Sequence, residues 1–139
     1  MNTFRILNIT FLISFLGLTA CATGPLTEDG RYIFPEFEEI DRITNYRISG
    51  WQSIDSRSLI LEDAPSNYYL VILRDRVRDL NFSEDISLTS TGTQIMSKFD
   101  CVSVARGSCF LTEGAPIERI YKLESRDAVN YVRNVIRGR

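Results

Sequence analysis

The feature of this chain that most restricts its fold is a succession of short β-type segments between residues 46 and 123. Turn residues separate the segments, and no long helical stretch lies between any two of them. Parallel strands need long crossover connections, so this spacing favours antiparallel pairing in a meander or small barrel. The segments are YRISGWQSI, SLILED, NYYLVILR, DISLTS, KFDCVSVA, CFLTE and PIERIYKL.

The order of apolar residues within the segments predicts which strands are covered on both sides. Leu59 and Leu61 fall on one face of their segment and Ile60 on the other, while Ile86 and Leu88 alternate with polar residues and should point inward. The run YYLVIL is apolar on both faces, which predicts a central strand.

Two stretches have helical spacing. The first starts at Pro35, and its residues Phe37, Ile40 and Ile43 would share one face of a short helix. The second covers residues 126–137, has Ser125 as a candidate N-cap, and repeats apolar residues at helical intervals. We therefore predict a mainly β (α+β) fold, with an antiparallel sheet or barrel of about six strands and one C-terminal helix.

The first twenty residues have the pattern of an export signal. One basic residue precedes an apolar run over residues 6–18, which is shorter than the roughly 20 residues of a comfortable membrane span. The next four residues, Leu18 to Cys21, resemble the lipobox of bacterial lipoproteins. That resemblance implies cleavage before Cys21, a diacylglycerol on its thiol and an acyl chain such as palmitate on its new amine. The alternatives are an ordinary signal peptide and an uncleaved anchor helix.

This interpretation gives the domain organisation. Residues 1–20 are the predicted signal, residues 21–34 a lipidated tether rich in polar and turn residues, and residues 35–139 one β-rich domain with its C-terminal helix. Removal of the signal leaves 119 of the 139 residues, enough for one core. Ala22 is not the aspartate associated with inner-membrane retention, which favours the outer membrane, facing the periplasm, if the host has one.

Lipidation of Cys21 would leave an even pair, Cys101 and Cys109, in an oxidising compartment. A disulfide is the natural expectation, but a tight turn at Arg106 and Gly107 would offset the two cysteines by about 10 Å along the strands. The bond therefore requires a wider loop centred on Ala105. The alternative is a redox-active pair, although the Cys-x-x-Cys spacing is absent.

The charge and composition exclude several functions. The mature chain would hold 15 basic and 18 acidic residues, and this slightly acidic balance argues against general binding of nucleic acid. Histidine is absent, so the commonest general base and zinc ligand is missing, and we predict neither a metal nor another cofactor. The last 21 residues are basic, and could contact anionic headgroups near the anchor or form a solvated helix face.

Only carboxylates remain as candidates for catalysis. Asp55, Asp85 and Asp100 lie at predicted strand ends or turns, and a converging pair would suit a hydrolase. Structural roles at turns are the alternative.

The segment RDRVRDL, over residues 74–80, alternates charge and could bind an anion, or form surface salt bridges. The aromatic residues that could form a binding face, or simply belong to the core, are Tyr46, Trp51, Tyr68 and Tyr69.

Several segments together resemble a family of small proteobacterial lipoproteins of unknown function. They are ISGWQSID with SLIL, YYLVIL, LNFSEDISLTS, SKFDCVSV and PIERIYKL. The resemblance implies a lipidated, envelope-located β-rich domain and supplies no catalytic residues. Many members of that family carry two cysteines at positions where this chain has Val77 and Ala115.

We therefore expect a non-enzymatic accessory or binding protein, anchored to the bilayer through acylated Cys21. Its partner would be an envelope protein or a cell-wall polymer. The alternatives are a small carboxylate-dependent hydrolase acting on envelope polymers, and a structural coat component whose only specific contact is the bilayer. A basic helix face on the same side as residue 21 would support the last of these.

Overall fold

The computed structural model describes residues 28–64, 66–104, 109 and 113–138. They form a curled antiparallel sheet with one C-terminal helix, which confirms the predicted fold class. A 3-10 helix over Glu28–Tyr32 comes first. The later elements are β1 (Glu38–Ile40), β2 (Arg42–Thr44), β3 (Ile48–Asp55), β4 (Ser58–Asp63), β5 (Asn67–Leu73), β6 (Ile86–Leu88), β7 (Gln94–Met96), β8 (Cys101–Val104), β9 (Gly114–Leu123) and α1 (Arg126–Arg137).

The long strand β9 organises the sheet, whose order is β3-β4-β5-β9-β8-β6. One edge of β9 pairs with β5, from Tyr68 opposite Leu123 to Leu73 opposite Ile117. Its other edge pairs first with β8 and then, nearer its C-terminal end, with β1. The strands β2 and β7 form a separate two-stranded sheet.

The main sheet has a core on each face, as the segment patterns predicted. Leu59 and Leu61 of β4 contribute to one core, which we call the first core, and Ile60 contributes to the other, the second core. The same division occurs in β5, where Val71 and Leu73 face one core while Leu70 and Ile72 face the other. The strand β5 lies between β4 and β9, which confirms the prediction of a central strand. The first core also includes Ile43 of β2 and Ile95 of β7.

Helix α1 covers the second core. Its buried residues are Val129, Val132 and Ile136. The Ser125 side chain accepts a 3.2 Å hydrogen bond from the Ala128 N–H, as expected of an N-cap. At the other end Gly138 adopts a left-handed conformation, which closes the helix. The helix therefore begins and ends where the sequence predicted.

The short helix predicted from Pro35 is wrong. The chain forms a turn and then β1, where Glu38 lies opposite Lys122 and Ile40 opposite Ile120. Pairing with the open edge of β9 supplies these residues with backbone hydrogen bonds, which outweighs the weak helical spacing of three apolar residues. The packing of Phe37 against the second core fixes the turn.

The packed region also begins earlier than residue 35. Tyr32 and Phe34, inside the predicted tether of residues 21–34, are only 3% and 1% exposed. Both belong to the second core, and the Phe34 ring lies edge-on to Tyr121 with centroids 5.8 Å apart. The structure thus places residues 28–34 in the domain, because two large aromatic side chains complete the layer beneath α1.

Candidate functional site

The carboxylates proposed for catalysis have separate structural partners. Asp55 accepts hydrogen bonds from the Tyr32 hydroxyl at 2.6 Å, the Arg57 N–H at 2.9 Å and the Ser58 hydroxyl at 2.7 Å. These contacts hold the turn between β3 and β4. Burial, and then the hydrogen bond to Asp55, raises the pKa of Tyr32 well above its usual value.

Asp100 has a similar role between β7 and β8. It is 4% exposed and accepts hydrogen bonds from the Thr89 and Thr91 hydroxyls and from the Met96 N–H. Asp85 is exposed just before β6. The contacts of Asp55 and Asp100 therefore give these two carboxylates structural roles at two different turns.

The described cysteines form a pair at disulfide-bonding distance. The Cα atoms of Cys101 and Cys109 are 6.0 Å apart, which is within the usual range for a disulfide. Residues 105–108 and Cys21 lie outside the described residues. Val77 and Ala115, the positions occupied by cysteines in the resembling family, are both buried in the first core.

The candidate aromatic face is divided. Tyr46, Trp51 and Tyr69 pack on the first core, whereas Tyr68 packs on the second. The Tyr68 hydroxyl accepts a 3.0 Å hydrogen bond from Arg126. The large apolar side chains most exposed in the described structure are two that sequence reasoning did not select: Phe82 at 86% and Phe99 at 77%.

The structure instead gathers arginines around the turn between β3 and β4. The Arg57 guanidinium lies 5.0 Å from the centroid of the Tyr32 ring, and its Nε donates to the Leu73 carbonyl at 2.8 Å. Tyr32 ends the 3-10 helix, so the start of the described chain is fixed beside this turn. The last turn of α1 reaches the same place, because Arg137 donates to the Ile54 carbonyl at 3.2 Å.

The loop after β5 completes this end of the domain. It is fixed to the turn by a 2.8 Å hydrogen bond from the Val77 N–H to the Ser56 carbonyl. Val77 and Leu80 are fully buried, which leaves Arg76, Arg78 and the exposed Phe82 on the outside. From the sequence, this segment was expected either to bind an anion or to form surface salt bridges. One of its described ion pairs, at 3.2 Å, joins Arg74 to Glu118 of β9.

Two open depressions lie at this end. One, of about 410 Å³, is lined by Tyr32, Ile33, Arg57, Arg74, Glu118 and Arg119. The other, of about 360 Å³, is lined by Ser56 and residues 76–82. Ile33, at the first depression, is 51% exposed. We call this surface the arginine end; its basic residues are Arg31, Arg57, Arg74, Arg76, Arg78, Arg119 and Arg137.

The charges of the domain are unevenly distributed. Five acidic residues with described side chains accompany the arginine end: Glu39, which pairs with Arg119 at 3.8 Å, Asp55, Asp75, Asp79 and Glu118. The opposite end, where β9 finishes and α1 begins, carries a depression lined by Glu36, Glu38 and Glu124 with Lys122 as its one basic residue. Arg126 and Asp127 both lie in the first turn of α1. The two ends therefore present surfaces of different charge.

Neither a metal site nor a membrane span is found in the described ranges. They hold no group of three or more Cys, Asp or Glu residues placed to ligate an ion. None of their helices is long and apolar enough to cross a membrane.

The comparisons with known proteins give one assignment. Neither the curated proteins nor the solved structures yield a match to this chain. A family model matches residues 3–139, which is nearly the whole sequence. The chain therefore belongs to the family of unknown function DUF6491.

Proposed function

We propose that this protein is a lipid-anchored, non-enzymatic accessory protein of the bacterial envelope, acylated at Cys21 and facing the periplasm, with the outer membrane as its location. The lipobox-like Leu18–Cys21 and the apolar run before it support the anchor. The family match begins at residue 3 and so includes this leader, which supports its being a regular part of such proteins.

The main support for the proposal is the small number of residues between Cys21 and the packed domain. The 3-10 helix starts at Glu28, seven residues later, and Tyr32 is already buried. Seven residues span at most about 25 Å. An acylated Cys21 would therefore keep the domain close to the bilayer, and a multiply acylated residue exceeds the two-signal requirement for stable anchoring.

The internal roles of Asp55 and Asp100 support binding rather than catalysis. Both carboxylates are occupied by hydrogen bonds that hold turns. The surfaces left for a partner are charged or carry single exposed aromatic side chains. Such surfaces suit an envelope protein or a cell-wall polymer, which pull-downs from envelope extracts would identify.

Intact mass spectrometry tests the anchor. The full chain and its Cys21→Ala variant are expressed in a Gram-negative host and purified from membranes and from the soluble fraction. We expect an acylated species starting at Cys21 from the native chain only, with a further mass deficit of two hydrogen atoms for a Cys101–Cys109 bond. An unmodified chain cut elsewhere would make this a free periplasmic protein and overturn the proposal.

Incubation with purified cell-wall polymer separates binding from hydrolysis. A binding protein co-sediments with the polymer and releases no soluble fragments, and Asp100→Asn leaves co-sedimentation unchanged. Release of soluble fragments by the native chain would instead favour the hydrolase.

A further inference from the structure

We propose that the arginine end is a docking surface for anionic phospholipid, which lays the tethered domain on the bilayer in one orientation. The inference rests on the proposed anchor at Cys21 for its biological setting. The binding itself is a property of the folded domain and can be measured without the anchor.

The chemistry of this end matches a phospholipid headgroup. Guanidinium groups bind phosphate through several hydrogen bonds and are weakly hydrated, so they are suited to the headgroup layer. Arg76 and Arg78 line one depression. Arg74 and Arg119 line the other, where their ion pairs with Glu118 and Glu39 reduce the charge that they offer to a headgroup. Each basic residue near an anionic surface adds a modest attraction, and several acting together bind stably.

Exposed apolar side chains accompany the arginines. Phe82, 86% exposed, lines the same depression as Arg76 and Arg78, and Ile33, 51% exposed, lines the other. A single exposed apolar residue is ordinary on a protein surface. Apolar side chains beside basic ones form the pattern of an interfacial membrane contact, where the apolar group enters the boundary beneath the phosphates.

The loop that presents Phe82 is fixed before any ligand binds. Val77 and Leu80 are buried in the first core, and the Phe82 N–H donates a 2.9 Å hydrogen bond to the Asp79 carbonyl. Asp79 adopts a left-handed conformation with φ of 62° to make this turn. Docking therefore orders few additional residues, so little of the binding free energy is lost to conformational entropy.

The first described element lies at this end of the domain. The 3-10 helix over Glu28–Tyr32 is joined to it because Tyr32 contacts both Asp55 and Arg57. The last turn of α1, with Arg137, is also there. The acidic depression around Glu36 and Glu124 lies at the other end and would be repelled by an anionic surface. One orientation on the bilayer is thus favoured.

Vesicle co-sedimentation tests the proposal. The unacylated mature chain, residues 21–139 with Cys21→Ser, is mixed with vesicles of three parts phosphatidylethanolamine and one part phosphatidylglycerol, and with wholly zwitterionic vesicles. We expect binding to the anionic vesicles that weakens as salt is raised. Equal binding to both kinds of vesicle, or to neither, would overturn the inference.

Two pairs of matched variants locate the contact. Arg76→Ser with Arg78→Ser should weaken vesicle binding roughly tenfold or more, whereas Arg42→Ser with Lys122→Ser changes the net charge equally and should have little effect. Phe82→Ser should weaken binding roughly tenfold, and Phe99→Ser, outside both depressions, should not. Circular dichroism confirms that each variant is folded. Equal losses within either pair would contradict a contact at the arginine end.

The source of the phosphate is a separate question with its own measurement. Inorganic phosphate and sodium chloride are compared as competitors at equal ionic strength. Equal displacement supports a bilayer surface, while selective displacement by phosphate would show a site for the free ion and overturn the bilayer assignment.

If vesicle binding fails but mass spectrometry finds the acylated chain, the docking surface is wrong and the anchor stands. If the chain is unmodified yet binds anionic vesicles, only the anchor is wrong.

Discussion

The Tyr32 hydroxyl donates a 2.6 Å hydrogen bond to the Asp55 carboxylate and joins the first described helix to the turn between β3 and β4. Tyr32→Phe removes only the donor and leaves the ring in the second core. We expect the free energy of unfolding to fall by about 1.5–3 kcal/mol, as for a hydrogen bond to a charged group. Urea unfolding measures the change. Tyr46→Phe, at a half-buried position whose hydroxyl makes no hydrogen bond to the described residues, is the control and should change stability by less than about 0.5 kcal/mol.

Alkaline pH should weaken the fold through the same tyrosine. Burial and the Asp55 contact raise the pKa of Tyr32 in the folded protein, so its neutral form is the one that the fold stabilises. That stabilisation is complete below the unfolded pKa of about 10 and is lost as pH rises through the folded pKa. Tyr69 and Tyr121 have pKa values raised by burial and act in the same direction.

Stability measured from pH 8 upward should therefore decline above about pH 10. The decline should be shallower in Tyr32→Phe, since one of the contributing groups is gone. The assignment of this titration to Tyr32 would be contradicted if the urea midpoint of the native chain stayed constant to pH 12. It would also be contradicted if the stability of Tyr32→Phe declined with pH as steeply as that of the native chain.

Sequence reasoning succeeded where one element carries its own pattern. Leu59, Ile60 and Leu61 alternate between two cores, and the apolar residues of α1 repeat at helical spacing, so each pattern is complete within a few residues. It failed for β1, β2 and β7, because each of these three-residue strands lacks the two apolar residues, separated by one polar residue, that marked β6 as a strand. The strand β1 is stabilised by backbone hydrogen bonds to the edge of β9, and β2 and β7 are stabilised by backbone hydrogen bonds to each other.

The arginine end could not be predicted for a related reason. Its arginines come from five parts of the chain: the 3-10 helix, the turn between β3 and β4, the loop that follows β5, the strand β9, and the last turn of α1. Sequence reasoning noticed only the basic C-terminal segment and the alternating charges of residues 74–80. Their proximity depends on sheet register and on the Tyr32 contact, which no local pattern contains.

Asp100 and Asp85 should respond very differently to neutralisation. Asp100→Asn keeps the size of a nearly buried side chain but weakens the hydrogen bonds from Thr89 and from the Met96 N–H. We expect a loss of about 1–3 kcal/mol. Asp85→Asn changes an exposed side chain and should stay within about 0.5 kcal/mol. Equal stabilities of the two variants in urea would mean that Asp100 does not hold the turn.

Reduction should lower the stability of the whole sheet through Cys101, which pairs with Pro116 of β9. The two cysteines are separated by eight positions, and closing a loop of that length constrains the unfolded chain by about 2.5 kcal/mol. Thermal unfolding with and without a reductant measures the difference. Cys101→Ser with Cys109→Ser should match the reduced native chain and be insensitive to reductant. A native chain that unfolds at the same temperature in both conditions would show that the cysteines, although at bonding distance, are not joined.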